Sequence, residues 1–302
     1  MKSIYIYDKK VDGHREDYLK YFASELNAKY TTRITWRKIL CDKLFLITAD
    51  DYIFSSFFLS LFRSLLLKQT KLVFIRAHNW NTRFTRFYKL FFLIPLRFML
   101  FVKSIIIQPR VGINKILFSD EIVDPAVIYS PISEKKFIIL SEQELKKKFS
   151  SGNQQSNHAK QFDLVFLGAF SYSRNIHKYL SLYSKYPCIR LFSVGANKIG
   201  LTLTKQIIKR LPLIEILASL DEASILWCCF DGSYDNSSGF FWMAFKNNLP
   251  MLINNKSKFI MSLRDKNYLD FKISKVNEHF SYLVPKGLSI DTIREINLKA
   301  LK

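Results

Sequence analysis

The sequence lacks a cysteine framework and an export signal. Its four cysteines, at positions 41, 188, 228 and 229, do not have metal-ligand spacing and are expected to be buried thiols in a reducing compartment. Its first residues, MKSIYIYDKK, contain no apolar segment of signal-peptide length, so export is not expected. Disorder is excluded, because 49% of the 302 residues are apolar and 15% are aromatic. That length is enough for two domains of ordinary size.

Acidic residues are absent between Tyr52 and Ser119, in a chain with a formal net charge of +21. This acid-free stretch contains eleven basic residues: Arg63, Lys68, Lys71, Arg76, Arg83, Arg86, Lys89, Arg97, Lys103, Arg110 and Lys115. They are interleaved with apolar and aromatic runs at 53–62 and 84–107. The first run is too short to span a membrane, and basic residues and a proline interrupt the second.

Three interpretations of the acid-free stretch remain open. A basic, aromatic-rich amphipathic surface that lies on an anionic membrane leaflet fits it best. A core helix with a solvated basic face has a similar composition. Nucleic acid is the third interpretation, but no reader motif accompanies the charge, and we expect no nucleic-acid partner. We therefore expect a cytoplasmic protein that is peripheral at the inner face of the cell membrane.

Strand-like and helix-like segments alternate along both halves of the chain. The first half predicts strands at 4–8, 43–48 and 71–78, with helices near 14–28 and 53–67. The second half predicts strands at 162–170 and 188–197, a helix at 176–186, and a short strand at 214–220. This order predicts an α/β protein with two Rossmann-like domains that face each other across a cleft.

The clearest linker is the polar segment 141–161, which is rich in Ser, Gln and Lys. It predicts an N-terminal domain over residues 1–140 and a C-terminal domain over residues 162–302. The last part of the chain, 286–302, is expected to form a helix that returns to the first domain.

The segment 224–254 is the most informative of the second half. It runs from SILWCCF through the polar loop DGSYDNSSG to FFWMAFKNN and LPMLIN, which predicts strand, loop, helix and strand. The helix begins at Ser237-Ser238-Gly239, where free backbone N–H groups and the positive end of the helix dipole suit a phosphate. A plain N-cap before a buried helix is the alternative.

With these features the second half resembles the donor domain of GT-B glycosyltransferases, particularly bacterial enzymes that build surface polysaccharides. The resemblance is carried by LVFLGAFSYSRNI at 164–176, FSVGAN at 192–197 and SSGFFWMAFKNNLPMLI at 237–253. In the first half, VDGHREDYL at 11–19 is similar to the family's Gly-His turn. RAHN at 76–79 is similar to its acceptor-side His.

The resemblance implies transfer of a sugar from a nucleotide-sugar donor to a glycan or lipid-linked acceptor, with no cofactor or metal. The implied donor-binding residues are Gly168, Arg174, Gly195, Asp235, Ser237, Ser238 and Gly239. Arg174 and the helix start would stabilise the leaving diphosphate. If the reaction inverts, the candidates for the catalytic base are Asp12, His14 and His78. A loop His is often a bystander, and Asp235 also suits a turn.

Four further positions bear on this interpretation. Met243 stands where the family's later helix Glu would be, and Ala169 replaces the first basic residue of the diphosphate strand. A catalytically silent GT-B-like protein, which binds a nucleotide or scaffolds a glycan assembly complex, is therefore the second hypothesis. The adjacent acids Asp50 and Asp51 could suggest a metal site, but we expect them to cap a helix.

Overall fold

The computed structural model describes residues 3–9, 14–75, 83–107, 117–150, 162–168, 175–185, 189–194, 205–207, 211–230 and 238–302. The chain divides into two compact units. Unit 1 comprises Met1–Tyr129 and Ile290–Lys302, and unit 2 comprises Ser130–Ser289.

Unit 1 is built around a parallel sheet. Its elements are β1 (Ile4–Tyr7), α1 (His14–Glu25), β2 (Lys29–Thr31), α2 (Trp36–Ile39), β3 (Lys43–Leu46), α3 (Ile53–Leu65), β4 (Gln69–Phe74), α4 (Arg83–Arg97), β5 (Val102–Ile107), β6 (Asp120–Ile122) and α5 (Ala126–Tyr129). The strand order is β2-β1-β3-β4-β5-β6, and every pairing is parallel.

Alternating side chains explain why both faces of this sheet are covered. Leu44 and Leu72 belong to the apolar core shared with α3 and α4. Phe45 and Val73, their neighbours in sequence, belong to a second core that includes Leu19 of α1. Because successive strand residues point to opposite faces, continuous apolar strands such as these require helices on both sides.

Unit 2 contains a larger, mixed sheet. Its elements are α6 (Glu142–Ser150), β7 (Phe162–Leu167), α7 (Ile176–Lys185), β8 (Ile189–Val194), β9 (Lys205–Ile207), α8 (Leu213–Ser219), β10 (Ser224–Cys228), α9 (Gly239–Lys246), β11 (Met251–Asn254), α10 (Lys258–Leu263), β12 (Leu269–Lys275) and β13 (Phe280–Leu288). The order of its seven strands is β12-β13-β11-β10-β7-β8-β9. Among the described strands of this sheet, β13 alone runs in the opposite direction, so its pairings with β11 and β12 are antiparallel and the other pairings are parallel.

The last helix, α11 (Ile290–Leu301), belongs to unit 1. Its buried Asn297 accepts a hydrogen bond from the Val123 N–H at 2.8 Å and donates to the Val123 carbonyl at 3.0 Å. Near the end of α11, the Nζ of Lys71 on β4 donates to the carbonyl oxygens of Ala300 and Leu301, at 3.1 and 2.8 Å. The predicted C-terminal helix thus begins at Ile290 rather than at 286, because residues up to Leu288 belong to β13.

The predicted α/β class is confirmed, but two local assignments are wrong. Residues 214–220, predicted as a strand, lie mostly in α8, where Ile216 and Leu217 are buried, and the buried Leu220 follows directly after the helix. Residues 142–150, predicted as linker, form α6. There the Ser141 and Glu144 side chains each accept a hydrogen bond from the other's backbone N–H, at 3.2 and 2.8 Å, as in a capping box. The rest of the predicted linker, 151–161, lies outside the described residues.

Candidate functional site

The strand order of unit 1 reverses at β1 and β3. The chain leaves β1 for β2 on one side, then continues on the other side of β1 through β3, β4, β5 and β6. In open α/β sheets, ligands bind in the crevice beyond the carboxyl ends of the strands at such a switch point. The residues that directly follow β1 and β3 are therefore the first candidates for a site.

Asp8 follows β1 and is buried together with Thr48, which lies just beyond β3. The Thr48 hydroxyl donates to the carboxylate, with Oγ1 lying 3.0 and 2.9 Å from the two Asp8 oxygens. The Arg15 guanidinium of α1 lies 3.5 Å from Asp8 Oδ1. Thr48 has a φ of 53°, a left-handed conformation that is uncommon for a β-branched residue. Such outliers concentrate at active sites and ligand clamps, so this strain supports a functional role for the switch point.

Arg15 also connects the end of β1 to the residues after β3. Its Nη2 is hydrogen-bonded to Asp51 Oδ2 as an ion pair, and its Nη1 donates to the Tyr52 hydroxyl at 3.3 Å. The expectation that Asp50 and Asp51 cap the following helix is wrong. Tyr52 is the N-cap residue of α3, and its side chain makes no cap hydrogen bond.

Asp50 is a buried carboxyl group at the same edge of the sheet. Its Oδ1 accepts a hydrogen bond from the Ile75 N–H, just beyond β4, at 3.2 Å. Burial, with a smaller contribution from the Asp51 charge, raises the pKa of Asp50 to about 6, whereas the Lys89 ammonium of α4 opposes this rise. Burial likewise lowers the pKa of Lys89, against the attraction of the two carboxylates. A carboxyl group that titrates near neutral pH is suited to proton transfer.

These side chains form one polar group, which we call the switch-point cluster. Its members follow two neighbouring strands, β1 and β3, or lie on two helices, α1 and α4: Asp8, Arg15, Thr48, Asp50, Asp51 and Lys89. As a possible site, sequence reasoning named only the two adjacent aspartates, and it preferred a helix-capping role for them. Lys89 was named only as a basic residue of the acid-free stretch. Asp8 could have been found as the polar end of the strand-like run IYIYD. Arg15 and Thr48 carry no comparable local signal, because their partners are distant in sequence.

Unit 2 has its own switch point, between β7 and β10. From β7 the chain builds outward through β8 and β9, and then places β10 on the opposite side of β7. Gly168 follows β7 with a φ of 104°, a conformation that glycine adopts at little cost. After β10, Ser238 is the N-cap of α9, and its Oγ accepts the Phe241 N–H at 3.2 Å. Two of the predicted donor-binding features therefore follow adjacent parallel strands, at one edge of the sheet.

Asn175, directly before α7, was missed by sequence reasoning. It is fully buried with a φ of 54°, and its carbonyl oxygen accepts the N–H groups of Lys178 and Tyr179, at 3.0 and 3.1 Å. Within the described part of the chain, neither polar atom of its side-chain amide has a hydrogen-bond partner. A buried amide without partners is unfavourable, and it adds a third unusual feature to the segments that follow β7 and β10.

For most of the other predicted site residues, the structure does not describe the side chain. Asp12, His78, Arg174, Gly195, Asp235 and Ser237 lie outside the described residues. His14 is the first residue of α1, and its side chain also lies outside the described part, whereas Gly239 is the first residue of α9. Among the side chains that are described, no group of three or more His, Cys, Asp or Glu could hold a metal ion. No family model and no curated protein matches the chain.

Proposed function

We propose that this protein is a glycosyltransferase that moves a sugar from a nucleotide-sugar donor to a lipid-linked or membrane-proximal glycan. The observation that carries the proposal is the location of the unusual residues of each unit. In both units they follow the two parallel strands at which the strand order of the sheet reverses, which is where α/β proteins bind ligands. The proposal includes the GT-B arrangement, in which the two Rossmann-like domains face each other across a cleft.

The donor is proposed to bind to unit 2 with its diphosphate at the start of α9. Anions are stabilised there by backbone N–H groups and by the helix dipole. The Ser238 cap fixes the first turn of this helix, and Gly168 leaves room for a close approach to the backbone. Arg174, which precedes Asn175, would supply the positive charge, and Gly195, Asp235, Ser237 and Gly239 complete the proposed donor site.

The acceptor is proposed to bind at the switch point of unit 1. Its hydroxyl oxygen would attack the anomeric carbon as a base takes its proton, and the nucleoside diphosphate would leave with the electrons of the broken bond. In sequence, Asp12 lies between β1 and α1, His14 is the first residue of α1, and His78 lies between β4 and α4. Asp50 joins them as a candidate base because its pKa is about 6.

A specific observation favours the second hypothesis, a catalytically silent nucleotide-binding or scaffold protein. Met243 replaces the family's helix Glu, and its side chain is fully buried in unit 2. Position 243 therefore presents an apolar side chain to the core and no carboxylate to a donor. A silent protein would bind the nucleotide and catalyse neither transfer nor donor hydrolysis.

A ligand screen followed by a hydrolysis assay tests both proposals. We expect one of the UDP-, GDP-, CMP- or dTDP-sugars to raise the melting temperature. A ligand at about 100 times its Kd adds about 2.7 kcal/mol to the free energy of unfolding. Slow hydrolysis of the same donor without acceptor would support the transferase, and binding without hydrolysis or transfer would support the silent protein. If no nucleotide or nucleotide sugar binds, the transferase and the nucleotide-binding form of the silent protein are both wrong.

A further inference from the structure

Helices α3 and α4 turn phenylalanines away from their own core. In α3, Phe54, Phe58 and Phe62 recur every four residues, and in α4, Phe87 and Phe91 do the same, with Phe98 directly after the helix. Each of these six residues is 40–80% exposed. We call them the aromatic face. The opposite sides of both helices already supply the core, through residues such as Ile53 and Leu93, so the aromatic face is not needed for packing within unit 1.

Ring contacts join the two helices into one surface. The Phe92 ring of α4 lies 5.6 Å from the Phe54 ring and 5.3 Å from the Phe91 ring, measured between centroids. At the other end of α3, the Phe62 ring lies 6.1 Å from the indole of Trp36, which is 70% exposed. A contiguous apolar surface of this kind is unusual on a soluble monomer and marks an interaction site.

The charged residues near this surface indicate which kind of partner it binds. Neither α3 nor α4 contains an Asp or Glu, and two exposed cations are next in sequence to residues of this surface: Arg37 follows Trp36, and Arg97 precedes Phe98. Exposed aromatic residues bordered by cations are typical of proteins that lie in an anionic lipid interface. No helix in the described part of the chain is long and apolar enough to cross a bilayer.

Several basic residues of the acid-free stretch have a different role from the one expected of them. Arg63 is buried, donating from Nε to the Thr70 hydroxyl at 3.0 Å and from Nη2 to the Gln69 carbonyl at 2.5 Å. Lys71 and Lys89 are buried as well. These three side chains do not face a membrane, and the charge available at the surface is smaller than the sequence implies.

We propose that the aromatic face inserts into the interface of an anionic lipid leaflet, and that apolar contact rather than charge supplies most of the binding. The phenylalanines would lie at the boundary between headgroups and acyl chains, while Arg37 and Arg97 remain among the anionic headgroups. Binding should therefore persist in salt that screens surface charges. The inference does not depend on the proposed function, because no donor or acceptor takes part in it.

Vesicle flotation with the full chain tests this inference. We expect it to bind vesicles of phosphatidylcholine and phosphatidylglycerol more strongly than vesicles of phosphatidylcholine alone, and to lose little binding in about 0.5 M salt. The triple variant F87S/F91S/F98S should bind at least roughly tenfold more weakly, because each side chain loses a favourable apolar transfer. On α3, F58S/F62S should weaken binding in the same direction. The matched control is I132S/M261S, which removes apolar side chains 69% and 49% exposed in unit 2 and should bind normally.

Melting temperatures within a few degrees of the unsubstituted protein would show that the variants are folded. The inference is overturned if the unsubstituted protein binds neither vesicle, or if both folded aromatic variants bind as it does. A dimer that dissociates in F87S/F91S/F98S, without any vesicle binding, would instead assign the aromatic face to a second copy of the chain. Release by salt to the level of F87S/F91S/F98S would show that charge dominates, contrary to the proposal.

Discussion

The buried Asp50 carboxylate accepts the backbone N–H of Ile75 at 3.2 Å, which links the residues after β3 to the end of β4. Burial raises the pKa of Asp50 to about 6, above the value of about 3.9 expected in an unfolded chain. Between these values the folded protein binds more protons, so its free energy of unfolding should fall as the pH rises from about 4 to about 6. Above pH 6 the cost of the buried charge is fully present.

We therefore predict that Asp50→Asn stabilises the protein by about 1–3 kcal/mol near pH 7.5, because the amide oxygen can still accept the Ile75 N–H without a buried charge. Urea denaturation at several pH values measures the effect. The control is Asp291→Asn, which changes an exposed carboxylate on α11 and should alter stability little. A destabilised Asp50→Asn variant at pH 7.5 would contradict the prediction and assign greater weight to the attraction between Asp50 and Lys89.

Lys71 should give the opposite pH dependence. Burial, with repulsion from Lys43 and Lys103, lowers its pKa to about 8, against about 10.4 in an unfolded chain. Between these values the unfolded chain binds more protons, so the free energy of unfolding should rise with pH. We predict that Lys71→Met removes this rise, measured as the difference between the two proteins from about pH 7.5 to pH 9.5. Parallel pH profiles would show that Lys71 does not titrate in this range.

The Thr48 hydroxyl should contribute to the stability of unit 1. Thr48→Val keeps the shape of the side chain but leaves the buried Asp8 carboxylate without this donor, which costs about 1–3 kcal/mol. Thr48→Ser keeps the hydroxyl and is the matched control, with a smaller loss. Thermal and urea unfolding of both variants measure the difference. Equal stability of the two would mean that the hydroxyl contributes nothing to folding.

Substitution of Arg174 gives the most direct test of the proposed donor site. We predict that Arg174→Ala weakens binding of a nucleoside diphosphate by roughly 10- to 100-fold, since charge-assisted hydrogen bonds contribute about 1.5–3 kcal/mol. Isothermal titration calorimetry measures the affinity. Arg264→Ala, which removes an exposed cation after α10, should bind normally. Unchanged affinity in Arg174→Ala would show that any diphosphate binds elsewhere.

Sequence patterns predicted the fold best where the apolar signal was continuous. SILWCCF predicted a strand buried on both faces, and all five residues of β10 are buried. The prediction of a strand at 214–220 was wrong, because a short apolar run fits a strand and a helix equally well. No strand was predicted after residue 254, although β12 and β13 complete one side of the sheet.

The switch-point cluster could be predicted only in part, for a different reason. Arg15 and Asp51 are separated by 36 residues and meet only because β1 and β3 are neighbours in the sheet. The left-handed conformation of Thr48 has no signature in residue type, because threonine rarely adopts it. Composition also cannot distinguish a solvated cation from one that, like Arg63, is buried among backbone carbonyls.

The position of α11 has a consequence for how the protein folds during its synthesis. Unit 1 is discontinuous, so the apolar face around Phe22 and the carbonyl acceptors of Lys71 are incomplete until residues 290–301 leave the ribosome. At roughly 5–20 residues per second, residues 130–289 require about ten to thirty seconds to translate. During that interval the surface that α11 later covers is exposed on the nascent first unit. A chaperone can bind this surface, and α11 must then displace the chaperone.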